Sequence, residues 1–315
     1  MVQESITIRS YEKGDEEAQA EIFNTVIVEM IPEPELITAE KVRKRHEDPK
    51  FNPKQVLYLI NQDQKIVGYT ECRISGGFHG IFYPMILKEY RSKETLDRLF
   101  KAIYEFAKED CKKNPGTIES HYAFDFKKAH EYFKSQTIAK VKEIQEAREI
   151  RLPINEINYE ISSEYEIKPL TRNDFSTLVE YRKSKESIVG DEVTVENLTE
   201  RFDNGEMSSE DSFLVYWKGD LAGYLHVETN SPADRGQKDT TVYGNFAGMI
   251  VDREFPDGVS LRKAMIQGAK DYFTKQNAKE MIGSIELNNP ALEFYKKLGF
   301  SISEDQGAKY WIYEQ

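Results

Sequence analysis

Apolar residues in the first half of the chain recur at every second position, as in strands, or at every third to fourth position, as in helices. In residues 94–112, for example, Leu99 and Ile103 fall on one face, which predicts a long amphipathic helix. The predicted elements are, in order, a strand at 6–9, a helix at 16–30, a helix from Thr38, strands at 55–60, 66–73 and 80–87, a helix at 94–112, a strand at 117–122, a helix at 127–136, and strands at 139–145 and 148–153.

The second half of the chain repeats this order. Short sequences repeat as well, since Ile66-Val-Gly-Tyr69 parallels Leu221-Ala-Gly-Tyr224. We interpret the chain as a duplicated module of about 150 residues. The predicted elements are a strand at 165–169, a helix at 174–184, a helix from Thr194, strands at 211–217, 221–228 and 242–251, a helix at 259–276, a strand at 280–286, a short helix, and strands at 301–303 and 308–313.

A length of 315 residues exceeds what one hydrophobic core usually organises, so two domains are expected. The predicted domains cover residues 1–155 and 164–315. Between them lies a polar stretch without periodicity, which we interpret as a linker.

Charge and composition narrow the classes of partner. The net charge is −12, with −3 in residues 1–160 and −9 in residues 161–315. This acidity argues against nucleic acid or an anionic membrane as a partner and agrees with an amine substrate. Because the sequence shows neither a signal peptide nor a long apolar run, we expect a cytoplasmic protein, either monomer or homodimer.

The stretch at residues 286–300 predicts a strand, a turn, a short amphipathic helix and a stop. Pro290 is expected in the first helical turn, where a missing N–H is tolerated. Asn288 or Asn289 can cap the helix, and Gly299 is expected to end it in a left-handed conformation.

The positions of Asn288, Ala291, Tyr295, Gly299 and Phe300 follow the pattern N-x-x-A-x-x-x-Y-x-x-x-G-F. This pattern resembles the C-terminal motif of the GCN5-related N-acetyltransferases, the GNAT family, and the order of elements is also similar to that family. The resemblance implies an α/β (α+β) fold over almost the whole chain. We expect two tandem GNAT-like domains, each with a mixed, mostly antiparallel twisted sheet flanked by helices.

The resemblance also implies a reaction. An acetyl group would pass from the co-substrate acetyl-CoA to a primary amine of a small molecule or peptide, which attacks the thioester directly without a metal. The family's helix tyrosine corresponds to Tyr295, which would act as general acid for the CoA sulfur. The family's other CoA-binding positions are a splayed strand for the pantetheine arm and a turn for the pyrophosphate. They correspond to Met249, Ile250 and Val251, and to Gly258, Val259, Ser260 and Arg262.

Two further roles stay open. Asn288 would orient the pantetheine or polarise the thioester, and helix capping is the alternative role. The base would be Glu228 or His226, acting directly or through water, and we expect only one of these two to face a cleft.

The phosphate turn departs from the family's pattern R/Q-x-x-G-x-G/A. Asp257 stands where Arg or Gln is usual, and Arg262 stands where Gly or Ala is usual. Because a carboxylate repels a pyrophosphate, a second hypothesis remains, that of a catalytically inactive GNAT-fold protein with a ligand-binding or regulatory role.

The first domain departs further from the pattern. Phe133 takes the place of the tyrosine, Phe126 that of the asparagine, and Glu94 and Leu96 occupy small positions of the turn. Since phenylalanine cannot donate a proton, we expect this domain to be a non-catalytic copy.

Overall fold

The structure, a computed structural model, describes residues 6–31, 34–47, 51–75, 77–184, 194–231, 240–251 and 255–314. The chain divides into two units. Unit 1 comprises Met1–Ala147 and Asp305–Gln315, and unit 2 comprises Arg148–Glu304. The division therefore falls within two strands, whereas the sequence pattern suggested a boundary at residues 155–163.

Unit 1 contains a sheet in the order β1-β2-β3-β4-β6-β13, with β5 paired to β3. The pair β4 and β6 is parallel, and the other registered pairs are antiparallel. The elements are β1 (Thr7–Ser10), α1 (Glu16–Ile27), α2 (Ala39–His46), β2 (Val56–Ile60), β3 (Ile66–Ser75), β4 (Phe78–Ile81), β5 (Met85–Ile86), α3 (Lys93–Cys111), β6 (Thr117–Ala123), α4 (Lys127–Ser135), the first part of β7 (Val141–Pro153) and the last part of β13 (Ser301–Tyr313).

Unit 2 contains a sheet in the order β7-β12-β11-β10-β9-β8. Here β11 and β12 are parallel, while β10 is antiparallel to both of its neighbours. The further elements are β8 (Tyr165–Pro169), α5 (Phe175–Ser184), α6 (Val195–Asp203), β9 (Ser212–Trp217), β10 (Asp220–Asn230), β11 (Tyr243–Val251), α7 (Gly258–Lys275), β12 (Glu280–Glu286) and α8 (Leu292–Lys297). Each unit thus has a mixed, mostly antiparallel sheet with helices, and the predicted fold class is confirmed.

Two of the helices begin at the threonine that the sequence predicts. The Thr38 hydroxyl accepts the N–H of Lys41, and the Thr194 hydroxyl accepts the N–H of Asn197, each at 3.2 Å. These bonds satisfy donors that the first helical turn leaves without an intrahelical acceptor.

Three strand predictions are wrong in detail. Residues 80–87 form two short strands rather than one, with Pro84, which has no N–H to donate, between them. The two strands predicted within residues 139–153 form the single strand β7, and those within 301–313 form the single strand β13. Glu146 and Ala147, which lie between the two strands predicted at 139–145 and 148–153, are half-buried and buried within β7 and do not interrupt it.

Each unit has its own hydrophobic core under its long helix. In unit 1, Phe100 and Ile103 of α3 pack with Ile118 of β6. In unit 2, Leu261 and Met265 of α7 pack with residues of β10, β11 and β12. Burial of each such side chain contributes roughly 1.5–3 kcal/mol. Among the helices in the described ranges, none combines the length and apolar character that a membrane span requires.

Gly244 of β11 lies directly beneath the ring of Phe273 on α7. A Cβ at this position would lie 2.4 Å from the ring of Phe273, which is fully buried. Gly244 pairs with Met281 where β11 and β12 run side by side. The glycine therefore permits the helix to pack directly over this part of the sheet.

We expect Gly244→Ala to destabilise unit 2 by about 1–3 kcal/mol, because the added methyl group overlaps the Phe273 ring. Urea unfolding followed by tryptophan fluorescence measures this change. The matched control is Gly283→Ala on β12, where the new Cβ lies 3.5 Å from Ile150, an ordinary contact. Equal stability of the two variants would contradict this account of the packing.

Candidate functional site

The strands β11 and β12 run side by side at first and then diverge. Tyr243 pairs with Glu280, Gly244 with Met281 and Asn245 with Ile282. Beyond these pairs, within the described residues, β11 continues to Val251 and β12 to Glu286 without further registered pairing between them. We call this divergence the fork. Along it, the edge of β11 that faces β12 offers backbone N–H and C=O groups to a ligand.

A β-bulge lies at the start of the fork. His226 of β10 pairs with Gly248 and Val227 pairs with Phe246, which leaves Ala247 as an additional residue in β11. A bulge bends its strand and frees the backbone groups of the extra residue. The bulge therefore adds to the polar backbone atoms available at this place.

Next to the fork, the start of α7 and the corner between β12 and α8 enclose a groove of about 900 Å³, which we call the unit 2 groove. Its lining includes backbone and side chains from both sides. The residues that matter below are Asp257, Gly258, Val259, Arg262, Asn288 and Phe294.

Asp257 caps the helix α7. Its carboxylate accepts the backbone N–H of Ser260 at 3.0 Å and the Ser260 hydroxyl at 2.6 Å. These hydrogen bonds hold the pKa of Asp257 below its ordinary value. This carboxylate would repel a pyrophosphate, and in the structure it also compensates the positive end of the helix.

Arg262 is the one cation among the described residues that line the groove. It donates a hydrogen bond to the carbonyl oxygen of Gly258 at 3.0 Å, and its guanidinium lies 4.8 Å from the centre of the Phe294 ring. Burial lowers the pKa of Arg262, and the side chain stays charged because its ordinary pKa is above 12. Arg262 therefore places a positive charge beside the first turn of α7.

Tyr295 lies at the fork. Its ring is 6.5 Å from that of Phe246, the first β11 residue beyond the paired segment, and 5.3 Å from that of Phe300. Burial raises the pKa of the Tyr295 hydroxyl, while the charge of Arg262 opposes that shift. The hydroxyl is therefore protonated at neutral pH and has a proton to give.

The corner before Tyr295 differs from the prediction in where the helix begins. Of the two asparagines considered as caps, Asn289 accepts a backbone N–H, that of Ala291 at 2.9 Å. The helix α8 begins at Leu292, so Pro290 precedes it rather than standing in its first turn. Asn288 is exposed and lines the groove, which leaves its side chain available to a ligand.

The predicted end of α8 is confirmed. Gly299 has a φ of 90°, and the N–H of Phe300 donates to the carbonyl oxygen of Tyr295 at 3.0 Å.

His226 and Glu228 are two residues apart on β10, so both project from the same face of the strand. Strand geometry by itself therefore does not place only one of them at a cleft. What separates them is burial, because His226 is buried and Glu228 is exposed. Glu228 also pairs across the strands with Asn245, at the last residue before the fork.

The imidazole of His226 already has internal partners. Its Nδ1 lies 3.0 Å from the hydroxyl of Ser212 and 3.4 Å from Oδ1 of Asp211. Although burial by itself raises the pKa of Asp211, hydrogen bonds with His226 and Ser208 hold that pKa below its ordinary value. Of the two candidate bases, Glu228 is the one that the structure leaves accessible.

The remaining predicted positions lie on both sides of β11. Met249 and Val251 pack against the core beneath α7, whereas Ile250 packs with the core of α5 and α6. Their side chains are therefore structural, and only their backbone edge faces the fork.

The corresponding fork in unit 1 is filled. The parallel pairing of β4 and β6 is registered from Phe78 to Gly80, and beyond it the Tyr122 hydroxyl accepts the backbone N–H of Tyr83. Phe133 is buried against both tyrosine rings. Tyr83, Tyr122 and Phe133 thus fill the fork of unit 1.

The start of α3 in unit 1 is also occupied internally. Ser92 and Thr95 cap each other's backbone N–H groups. Arg91, the residue just before this cap, donates to the carbonyl oxygen of Ile86 and to the carboxylate of Glu29, each at 2.8 Å.

Sequence patterns did not single out Phe246 or Ala247. Phe246 continues the ordinary alternation of β11 into the core, so nothing in the local sequence marks it as the fork residue. The bulge at Ala247 depends on the register with β10, which only the paired strands reveal.

No protein-family model matches the sequence, and no curated protein matches it. Solved structures share its fold. The chain is similar to a GCN5-related N-acetyltransferase from Sphaerobacter thermophilus, with 12% identity and a TM-score of 0.63 over 98% of this chain and 95% of that one. It is also similar to a tandem GNAT protein from the clavulanic acid biosynthesis pathway, with 13% identity and a TM-score of 0.54 over 99% of each chain.

A third similar structure is Saccharomyces cerevisiae N-myristoyltransferase with bound myristoyl-CoA and inhibitors. Its identity is 14% and its TM-score 0.55, over 98% of this chain and 80% of that one. At these identities the likeness concerns the fold. The expected GNAT fold is confirmed.

We expect Asp257→Ala to destabilise the protein by about 1 kcal/mol at neutral pH, and Asp257→Asn to cost less because asparagine also caps helices. The folded-state pKa of Asp257 is lowered, so its stabilisation is present above the ordinary carboxyl pKa and is lost as the pH falls through the folded value. The difference between wild type and Asp257→Ala in urea unfolding should therefore shrink below about pH 4. A difference that grows on acidification would contradict the capping role.

Proposed function

We propose that unit 2 binds acetyl-CoA and transfers its acetyl group to a primary amine of a small molecule or peptide. The observation that carries this proposal is the open fork between β11 and β12, with a protonated tyrosine at its start and a helix N-terminus beside it. The fold supports it too, because one similar structure is a myristoyltransferase with bound myristoyl-CoA.

The pantetheine arm would lie along the free edge of β11. Its two amide groups can pair with backbone N–H and C=O groups of Met249, Ile250 and Val251, as an added strand would. Asn288 at the groove wall would hold the arm from the opposite side. This arrangement uses backbone atoms, so it does not depend on the apolar side chains of these three residues.

The pyrophosphate would lie at the start of α7. Backbone N–H groups of Gly258, Val259 and Ser260 belong to the first helical turn, where the helix dipole favours an anion. Arg262 supplies the positive charge, since its guanidinium is already held at this turn. For Ser260 to donate its N–H to the phosphate, the carboxylate of Asp257 must release that bond.

The transfer needs two proton movements. As the amine nitrogen attacks the thioester carbonyl, its proton would pass to the carboxylate of Glu228, directly or through water. As the carbon–sulfur bond breaks, the CoA sulfur would take the proton of the Tyr295 hydroxyl. The raised pKa of Tyr295 keeps its hydroxyl protonated before the reaction. Because a thiol is more acidic than a tyrosine hydroxyl, the phenolate left after the transfer is a strong base and takes a proton back from water, while Glu228 releases the amine proton to solvent.

The acceptor amine would approach from the face of the sheet that carries Glu228. This face is opposite to the one that packs against α7, because Val227, the neighbour of Glu228, is buried in that core. The acetyl donor and the amine can therefore reach the fork from different sides, which direct transfer requires.

One observation favours a second candidate function. The carboxylate of Asp257 occupies the N–H group that a pyrophosphate would use. If it does not move, unit 2 would bind a ligand in its groove without transferring an acetyl group.

We expect Gly258→Trp to weaken acetyl-CoA binding at least tenfold in calorimetric titration, an effect of about 1.4 kcal/mol or more. A Cβ at Gly258 would lie 3.0 Å from Arg262 and 3.7 Å from the Phe294 ring, so an indole would fill the groove. The matched control is Lys93→Trp at the exposed first residue of α3, which should leave binding unchanged. No binding to the wild type, or an equal loss in the control, would refute the proposed site.

For Tyr295→Phe we expect turnover on a panel of primary amines to fall by about 100-fold or more, while acetyl-CoA affinity changes little. Release of free CoA, followed with a thiol reagent, measures turnover. The control Tyr216→Phe removes a hydroxyl from a half-buried position on β9 and should keep full activity. Unchanged turnover in Tyr295→Phe would remove this residue from the mechanism.

A further inference from the structure

Besides the groove of unit 2, the structure has a cavity in unit 1. It has a volume of about 450 Å³ and lies between α1, α2, β3 and the segment that joins β4 to β5. Its size is within the range of small-molecule sites in proteins. We call it the unit 1 cavity.

The apolar part of this cavity is formed by buried side chains. Val42 of α2, Tyr69 of β3, Tyr83 and Met85 are each at most 5% exposed and line it together with Phe23 of α1. Such a surface accommodates an aromatic or aliphatic group.

The charged part is centred on Glu71, a buried carboxylate on the same face of β3 as Tyr69. One carboxylate oxygen of Glu71, Oε1, forms ion pairs with Nη2 of Arg73, at 2.5 Å, and with Nη1 of Arg45, at 3.3 Å. The remaining pair in the lining is Lys41 with Glu35, at 2.5 Å. Three cations thus share two carboxylates, which leaves one positive charge uncompensated within the lining.

The two arginines keep donors available. A guanidinium has five N–H groups. Among the described residues, Arg45 and Arg73 each form an ion pair with the same side chain, that of Glu71. Arg73 is 55% exposed and also lies 4.4 Å over the ring of Phe82, so that ring and the bond to Glu71 fix its orientation. A fixed, partly exposed guanidinium is suited to receive a carboxylate.

This charge arrangement is particular to unit 1. When the sequences Ile66-Val-Gly-Tyr69 and Leu221-Ala-Gly-Tyr224 are aligned, Glu71 corresponds to His226 and Arg73 corresponds to Glu228. Unit 2 therefore presents a carboxylate where unit 1 presents a guanidinium. The two units should select ligands of opposite charge on this face of the sheet.

We propose that the unit 1 cavity binds a small monocarboxylate with an aromatic or aliphatic body. The carboxylate takes the uncompensated charge of Arg45 and Arg73, and the body packs between Phe23, Val42 and Met85. This site is separate from the unit 2 groove and gives unit 1 a binding role of its own.

The test uses the full-length protein and phenylacetate as probe, with phenylacetamide and 2-phenylethylamine as neutral and cationic analogues of the same shape. Saturation-transfer NMR and calorimetry measure the affinities. We expect phenylacetate to bind at least about tenfold more tightly than either analogue. Arg73→Gln and, separately, Arg45→Gln should each weaken phenylacetate binding by about tenfold, the loss of one charge-assisted hydrogen bond.

Arg172→Gln in unit 2 is the matched control. Arg172 is also 55% exposed, pairs with Asp203 and lies 5.9 Å from the ring of Phe202, but it does not line the cavity. Phenylacetate affinity should be unchanged in this variant and in Gly258→Trp. Saturable binding of 2-phenylethylamine as tight as that of phenylacetate would overturn the proposal, and so would binding insensitive to both cavity arginines. Failure of phenylacetate to bind below about 10 mM would overturn it as well.

Discussion

The structure depends on how each unit provides hydrogen-bond partners for the backbone N–H and C=O groups where two parallel strands diverge. Paired strands satisfy each other's N–H and C=O groups, and strands that separate must find other partners for them. In unit 1 a tyrosine hydroxyl, that of Tyr122, takes the N–H of Tyr83. In the described part of unit 2, the edge of β11 beyond Asn245 has no registered pairing with β12, and the groove and Tyr295 lie beside it. One fold thus gives a closed unit and an open one.

The helix that follows the fork shows the same contrast. Both long helices begin with a side-chain cap, Ser92 in unit 1 and Asp257 in unit 2. In unit 1 the neighbouring Arg91 pairs with Glu29, whereas in unit 2 Arg262 turns back onto its own helix and lines the groove. Unit 2 therefore brings an available cation to a helix N-terminus, the combination that an anionic ligand requires.

Local sequence predicted most of the elements and their order, because caps such as Thr38 and stops such as Gly299 act over a few residues. The resemblance to the GNAT motif also singled out Gly258, Arg262 and Asn288, which the structure brings together in the unit 2 groove. Local sequence failed where a contact joins distant segments. The bulge at Ala247 needs the register of β10, and the pairing of Glu71 with Arg45 needs α2 to pack against β3.

Amide hydrogen exchange read by mass spectrometry, with and without saturating acetyl-CoA, tests most directly whether the open fork is the ligand site. Exchange reports the protection of individual backbone segments. The account predicts slower exchange at residues 246–251 and 258–262, and no change at the corresponding segments 80–86 and 92–96 of unit 1. Protection in the unit 1 segments, or none in unit 2, would contradict it.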